Sequence, residues 1–464
     1  MEAALLIDFG STYTKVAAAD VARPRLLGRA ASRTTADTDV GEGLADAIEE
    51  LRRATGAIEY SRRLACSSAA GGLRMVACGL VPDLTAKAAR LASLGAGARV
   101  EKAYSYQLTE DDAREIDAIR PDILLLTGGT DGGDEKCILR NAETLAGCAA
   151  SFPIVVAGNR SCASRVMAAL KGREAHLCDN VMPALGALSI ESARAKIREI
   201  FLERIVRAKG LSRESGLLAG IMMPTPAAVL AAVELLAGGR GEESGIGELV
   251  AVDLGGATTD VYSVAAGTPK GVGVVYRGLP EPYAKRTVEG DLGMRHSAHG
   301  VLEAAGAARL SALSGVPEEK ARAMALSLSA GAPAEGDDSA ALDFALAALS
   351  VETATERHAG TMEEAYGASG LVYVQSGKDL RDVARVVMTG GALVHARRQG
   401  ELAARALYSD ARPQSLRPRK AEALVDKDYV LSAMGLLSSC APAAALSIMK
   451  QSISAIDVAI SGNS

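Results

Sequence analysis

Tryptophan is absent from the 464 residues, and only four Phe and eleven Tyr supply aromatic rings. A chain so poor in aromatics lacks the stacking platforms that nucleic-acid binders use. It also lacks a basic field: the formal charge is -5, so no excess of Lys and Arg draws in phosphate backbones. No CxxC pair occurs among the seven cysteines, Cys66, Cys78, Cys137, Cys148, Cys162, Cys178 and Cys440. Their spacing fits neither a zinc site nor a disulfide framework, and the expectation is reduced thiols in a cytoplasmic protein. Long hydrophobic runs are missing too. The most membrane-like stretch, "LLAGIMMPTPAAVLAAVELLAGG", is interrupted by Pro224, Pro226 and Glu234. It reads as a strand or turn followed by a buried helix, with Thr225 as a cap and Pro226 in the first turn. No basic region precedes the short apolar run at the N-terminus, so a signal peptide is not expected.

What remains is rich in Ala, Leu, Val, Ile and Gly, with 48% hydrophobic residues, enough for sizeable cores in two domains. Apolar strands alternate with helix-periodic segments through most of the first 180 residues, the pattern of an α/β protein with helices on both sheet faces. "VGEGLADAIEELRRAT" has helical spacing, and Thr109 is placed to cap the helix over "LTEDDAREIDAIR". "GGRGEESGIG" reads as a hinge between a first domain, 1–245, and a second, 246–464. The closing segment "DKDYVLSAMGLLSSCAPAAALSIM" reads as one helix that packs back toward the first domain.

Two short stretches carry chemistry. In "LLIDFGSTYTK" an apolar strand ends on Asp8, then Gly10, Ser11 and Thr12 form a turn, and Lys15 follows on the return strand. In "LVAVDLGGATTD" the same architecture recurs with Asp253, Gly255, Gly256, Thr258, Thr259 and Asp260. Glycines let a backbone approach phosphate, and hydroxyls and N–H groups donate to its oxygens. A carboxylate is no phosphate contact unless a cation intervenes, so Asp8 and Asp253 are the candidates to hold hydrated Mg²⁺ or orient water. One such turn is ordinarily just a turn. Two, facing across a cleft, would clamp a triphosphate and its Mg²⁺. A third turn, Gly390 and Gly391 after "VVMT", is spaced to contact a nucleoside.

"DFGST", "DLGGATTD", "VVMTGG" and "DYVLSAMGLL" resemble the two phosphate motifs, the adenosine motif and the closing helical motif of the actin, sugar kinase and Hsp70 ATPase superfamily. "CSSAAGGLRMVACGLVPDLTAKAAR", "PDILLLTGGTDGGDEKCILRNAE" and "IMMPTPAAVL" narrow this. They resemble the MutL/GlmL accessory family associated with adenosylcobalamin-dependent glutamate (methylaspartate) mutase, which is distinct from the DNA-mismatch-repair protein called MutL. The resemblance spans nearly the whole chain. It implies two actin-like, ribonuclease H-like α/β domains flanking a nucleotide cleft, with helical insertions. It implies an ATPase using ATP/ADP and Mg²⁺ that assists or reactivates a cobalamin mutase in the cytoplasm. Carried over, Asp8, Gly10, Ser11 and Thr12 match the first phosphate turn, and Asp253, Gly255, Gly256, Thr258 and Thr259 the second. Gly390 and Gly391 match the adenosine turn, and Lys15 the lysine after the first turn. The resemblance secures no catalytic base; Asp8, Asp253 and Asp131 are the candidates to orient water. A small-molecule kinase on the same fold and a non-catalytic nucleotide-binding scaffold or mutase subunit are the alternatives.

Other features take plainer readings. Asp131 in "TGGTDGG" either touches nucleotide or caps the following helix. On a helix His296 and His299 would share a face, but no third metal ligand is evident nearby. No Asp-x-His-x-x-Gly pattern is present, so cobalamin belongs on the partner. "GAPAEGDDSAA" reads as an exposed loop.

Overall fold

The computed structural model describes residues 2–10, 12–35, 40–68, 73–208, 221–271, 273–331, 336–367 and 370–458. The chain divides into two compact units. One comprises Met1–Ala232, Gly278–Pro280 and Ser432–Ile448, the other Val233–Arg277, Glu281–Leu431 and Met449–Ser464.

The first unit opens with β1 (Ala3–Phe9), β2 (Tyr13–Asp20) and β3 (Arg25–Arg33), an antiparallel meander. Every residue of β1 is buried, as befits an apolar run in the middle of a sheet. Helix α1 (Val40–Thr55) follows and places Leu44, Ala47 and Leu51 against Leu5, Ile7, Phe9 and Val16. Each leucine so buried contributes about 1.5–3 kcal/mol. A Cβ on Gly28 would sit 2.3 Å from Thr55 Cγ2, so the helix lies this close only over glycine. Strand β4 (Tyr60–Ser67) runs parallel to β1.

A second, wholly parallel sheet then forms from β5 (Leu73–Gly79), β6 (Ala98–Ser105), β7 (Ile123–Leu126), β8 (Ile154–Val156) and β9 (Ala175–Leu177), in the order β6-β5-β7-β8-β9. Its connecting helices are α2 (Lys87–Gly95), α3 (Glu110–Ile119), α4 (Lys136–Ala146) and α5 (Ala163–Ala169). Thr109 caps α3 as expected, in a capping box with Asp112. The segments on either side of "AAGG" therefore belong to different sheets, a separation that apolar periodicity does not reveal because it reports burial and not partner. After α6 (Glu191–Ala208) the chain returns to the first sheet as β10 (Ile221–Pro224), parallel to β4, and enters α7 (Thr225–Gly238). The first sheet thus has the order β10-β4-β1-β2-β3.

In the second unit the expected hinge is a small ladder, β11 (Gly239–Arg240) against β12 (Glu243–Ser244). Then β13 (Leu249–Leu254), β14 (Thr259–Val264) and β16 (Ala284–Glu289) form an antiparallel trio, while β19 (Arg385–Thr389) and β20 (Glu422–Asp426) add in parallel beside β13. A last strand, β21 (Ile453–Ile456), closes the edge. Helices α8 (Ala298–Ala305), α9 (Ala307–Ser314), α10 (Glu318–Ser329) and α11 (Ser339–His358) pack over this sheet, with Leu342, Ala345, Leu346 and Leu349 in its core. Strands β15 (Val274–Arg277), β17 (Thr361–Gly367) and β18 (Gly370–Ser376) form a separate three-stranded sheet. Short helices α12 (Gly391–Val394) and α13 (Gln399–Ala404) follow β19. The closing segment, most of which (Ser432–Ile448) belongs to the first unit, is two helices and not one, α14 (Leu431–Ser438) and α15 (Pro442–Ser452), because Pro442 starts a new helix.

Both units therefore contain the same unit of topology: β3-β2-β1-β4-β10 in one, β16-β14-β13-β19-β20 in the other. This is the paired ribonuclease H-like, actin-like α/β fold that the resemblance implies. Among the described residues no helix is long and apolar enough to cross a membrane.

Candidate functional site

In the first unit, the carboxyl ends of the parallel strands β1, β4 and β10 lie side by side, the edge of an open α/β sheet where ligands bind. Asp8 stands there, 4% exposed, directly opposite Lys15 on β2 and Cys66 on β4. Four donors surround its carboxylate. The Thr225 hydroxyl, at the start of α7, donates to Oδ1 at 2.7 Å, and the Ser432 hydroxyl of α14 donates to Oδ2 at 3.1 Å. The Cys66 thiol donates to Oδ1 at 3.5 Å, and Lys15 Nζ lies 3.6 Å from Oδ2. Burial, and after it the Asp8 charge, push the Cys66 thiol well up, so it keeps its proton. Lys15 is thus folded back onto Asp8 by hairpin register, with its side chain 28% exposed.

The turn after Asp8 is tied by backbone. Gly10 N–H lies 3.1 Å from both the Asp8 and Tyr13 carbonyls, and a Cβ at this position would meet the Tyr13 oxygen at 2.6 Å. Thr34 clamps the turn, its hydroxyl donating to Gly10 O and its N–H to Thr12 O. The Thr12 side chain is exposed; Ser11 lies outside the described residues. Asp131 stands elsewhere in this unit. Its Oδ1 accepts from Arg160 N and Asn180 Nδ2, and its Oδ2 is 3.5 Å from Arg160 Nε, so it braces the loops of the second sheet.

In the second unit, the turn Gly255–Thr258 joins β13 to β14 and is held from one side. Met294 N–H donates to Gly255 O at 3.1 Å, Arg295 N–H to Gly256 O at 2.8 Å, and the Ser297 hydroxyl lies 2.6 Å from Ala257 O. Gly293 allows this segment to approach, since a Cβ there would be 2.6 Å from the Ala257 carbonyl carbon. With the carbonyls drawn to that side, the N–H groups of Gly256, Ala257 and Thr258 have no acceptor among the described residues. Successive N–H groups free in this way form an anion-binding nest.

The two threonines part ways. Thr258 is partly exposed, and its hydroxyl reaches Asp260 at 3.3 Å. Thr259 is fully buried, and its hydroxyl donates to Leu292 O at 2.9 Å, so that proton is engaged inside the unit. Asp260 pairs with buried Arg286 at 2.6 Å. Asp253 is half-buried beside the Gly390–Gly391 turn: it is opposite Thr389 in register, and a Cβ on Gly390 would lie 2.6 Å from Asp253 Oδ1. Gly390 also has φ +89°, a backbone region that glycine alone enters at little cost. Gly391 opens α12 with open space where a Cβ would be. Thr389 donates to Asp426, whose carboxylate also accepts the N–H groups of Val430 and Leu431 and so caps α14.

The sequence reading missed Ser432, Ser297 and Arg295 as parts of these sites and assigned Thr225 only a capping role. Thr225 and Ser432 lie in quoted motifs, but a hydroxyl's partner across the chain leaves no mark in local spacing. Arg295 is held by Asp343 through two bonds, at 2.7 and 3.0 Å. His299 hydrogen-bonds Ser329, and no group of three metal-ligating side chains exists among the described residues.

The MutL protein family matches this chain over residues 4–453. Protein MutL of Clostridium tetanomorphum is 46% identical over 461 residues, covering 97% of this chain and 99% of that protein. Solved structures give remoter likenesses. A ligand-bound xylulose kinase from Lactobacillus acidophilus is 10% identical, with 98% and 93% of the two chains covered and a TM-score of 0.37. A glycerol dehydratase reactivase is 11% identical, with 94% and 99% covered and a TM-score of 0.31. Scores this low leave the fold assignment resting on strand order. The match along nearly the whole sequence decides the relationship, and the chain belongs to the MutL family.

Proposed function

We propose that this chain is a Mg²⁺–ATP-dependent ATPase that reactivates an adenosylcobalamin-dependent mutase, the family resemblance implying glutamate (methylaspartate) mutase. The observation that carries the nucleotide reading is the turn Gly255–Thr258, whose carbonyls are pinned on one side while three successive N–H groups are left to an anion. Membership of the MutL family supports the mutase as partner. Seven free cysteines agree with a reducing compartment, which we take to be the cytoplasm.

In this reading Gly256, Ala257, Thr258 and the Gly10–Thr12 turn bind phosphate oxygens, and Ser11 belongs to the same turn. Gly255 and Gly390 keep Cβ atoms away from the ligand and from Asp253, and Gly391 opens the helix beside the nucleoside. Asp8 and Asp253 hold the hydrated cation, and one or both orient the attacking water. Lys15 tempers the charge at Asp8. The donor chemistry fits: hard carboxylate oxygens suit Mg²⁺, which retains most of its waters. When bound, Mg²⁺ neutralises charge that builds on the transferring phosphoryl group. The preorganised N–H groups contribute there without reorganising. Cobalamin belongs to the partner.

Asp8→Asn and Asp253→Asn each remove a cation ligand's charge while keeping shape. Each variant is expected to lose ATP hydrolysis by about 100-fold or more, with circular dichroism unchanged. Near wild-type turnover in both would refute the assignment.

A further inference from the structure

Asp8 is a carboxylate almost without solvent, 4% exposed, and both of its oxygens are met by hydroxyls from helices far away in sequence. Thr225 is the first residue of α7, a helix of 14 residues, and Ser432 the second residue of α14. Helix N-termini carry partial positive charge, so both helices favour the anion they touch. Their mutual position is fixed by backbone contact: a Cβ on Gly435 would lie 1.8 Å from the Ala228 carbonyl oxygen. Helix α14 therefore rests directly on α7, and the two hydroxyls approach Asp8 from a rigid pair. With one hydroxyl on each oxygen, the carboxylate plane is set. The second position on each oxygen is met only by longer contacts, the Cys66 thiol at 3.5 Å from Oδ1 and Lys15 Nζ at 3.6 Å from Oδ2, so a cation competes there with weaker partners than the hydroxyls.

We propose that Thr225 and Ser432 are positioning residues that orient Asp8 toward the nucleotide-bound cation. This inference rests on the nucleotide reading above. A carboxylate that rotates freely offers its cation-facing lone pair only part of the time. Locking it with two hydroxyls favours cation binding and the geometry of water attack, and leaves the phosphate-binding amides untouched.

The test uses the full chain with Thr225→Val, Thr225→Ser, Ser432→Ala and Asp8→Asn. Two quantities are read for each: ADP affinity in EDTA by calorimetry, and Mn²⁺ affinity of the ADP complex by electron paramagnetic resonance. Thr225→Val and Ser432→Ala are expected to weaken Mn²⁺ binding about tenfold. They leave metal-free ADP affinity within twofold, and Thr225→Ser restores the cation affinity. A merely structural role would lower both affinities together with the melting temperature, and that result overturns the inference. So does Mn²⁺ affinity unchanged in Thr225→Val and Ser432→Ala but lost in Asp8→Asn, which leaves the nucleotide reading standing. A wild-type chain that binds no ADP and no Mn²⁺–ADP overturns the nucleotide reading, and this inference with it.

Discussion

Ser297 shows how one hydroxyl can shape a binding turn without touching the ligand. It lies 2.6 Å from Ala257 O and 3.0 Å from Gly290 O, and helps hold the Gly255–Thr258 carbonyls away from the N–H nest. Ser297→Ala leaves that restraint to the backbone bonds alone. A lost buried hydrogen bond is worth about 1 kcal/mol, so ATP affinity is expected to fall roughly fivefold in a fluorescence titration. At this scale the sequence was legible in residue type and less so in direction. Asp8, Gly10, Lys15, Asp253, Gly255, Gly256 and Gly390 all stand at strand ends or in the turns expected of them. Thr258 and Thr259 are indistinguishable as letters. The strand that begins at Thr259 turns alternate side chains to opposite faces, which sends its hydroxyl inward to Leu292 O. Thr225 and Ser432 reach Asp8 from 217 and 424 residues away, a distance no spacing rule spans.

Among elements, the end of α11 and strands β14 and β16 enclose a buried polar cluster. His358 is fully buried between the Ser263 and Thr287 hydroxyls, each at 2.8 Å. Lys378 donates to the Pro282 and Tyr283 carbonyls, and Lys285 to the His358 carbonyl and Glu281. Burial first, then the charge of Lys285, pushes the Lys378 ammonium down to about 7, with Glu281 and Glu248 opposing. The unfolded chain keeps that proton up to about 10.4, so between these values it binds more protons than the folded one, and stability rises with pH. His358, also lowered by burial and by both lysines, acts with the same sign below its ordinary range. Lys378→Met is expected to flatten the rise of the thermal midpoint between pH 7 and about 10. Scans of both proteins across that range check it, and an unchanged slope contradicts it. Strands and helices were mostly legible because burial imposes periodicity: α1 and the Thr109 cap fall where expected. Sheet membership was not, because it depends on tertiary partners, whereas the break before Pro442 and the β11–β12 ladder are local features that apolar periodicity passes over.

At the scale of the whole molecule the chain carries one strand topology twice, once in each unit. In both copies the strand that carries the aspartate, β1 or β13, has it one residue before its end, and a glycine turn follows. The duplicated strand–turn–strand motif was visible because the same chemistry imposes the same letters twice. Which mutase is served was not, since partner surfaces are built from side chains scattered over many elements. The most direct measurement incubates the wild-type chain with glutamate mutase inactivated by a bound cobalamin that lacks its adenosyl group, in the presence of free adenosylcobalamin. Release of the damaged cofactor is followed by its absorbance, and mutase activity is assayed alongside. The account predicts exchange and recovered activity with Mg²⁺–ATP and little of either without nucleotide or with Asp8→Asn. Exchange that proceeds equally with and without Mg²⁺–ATP would contradict it.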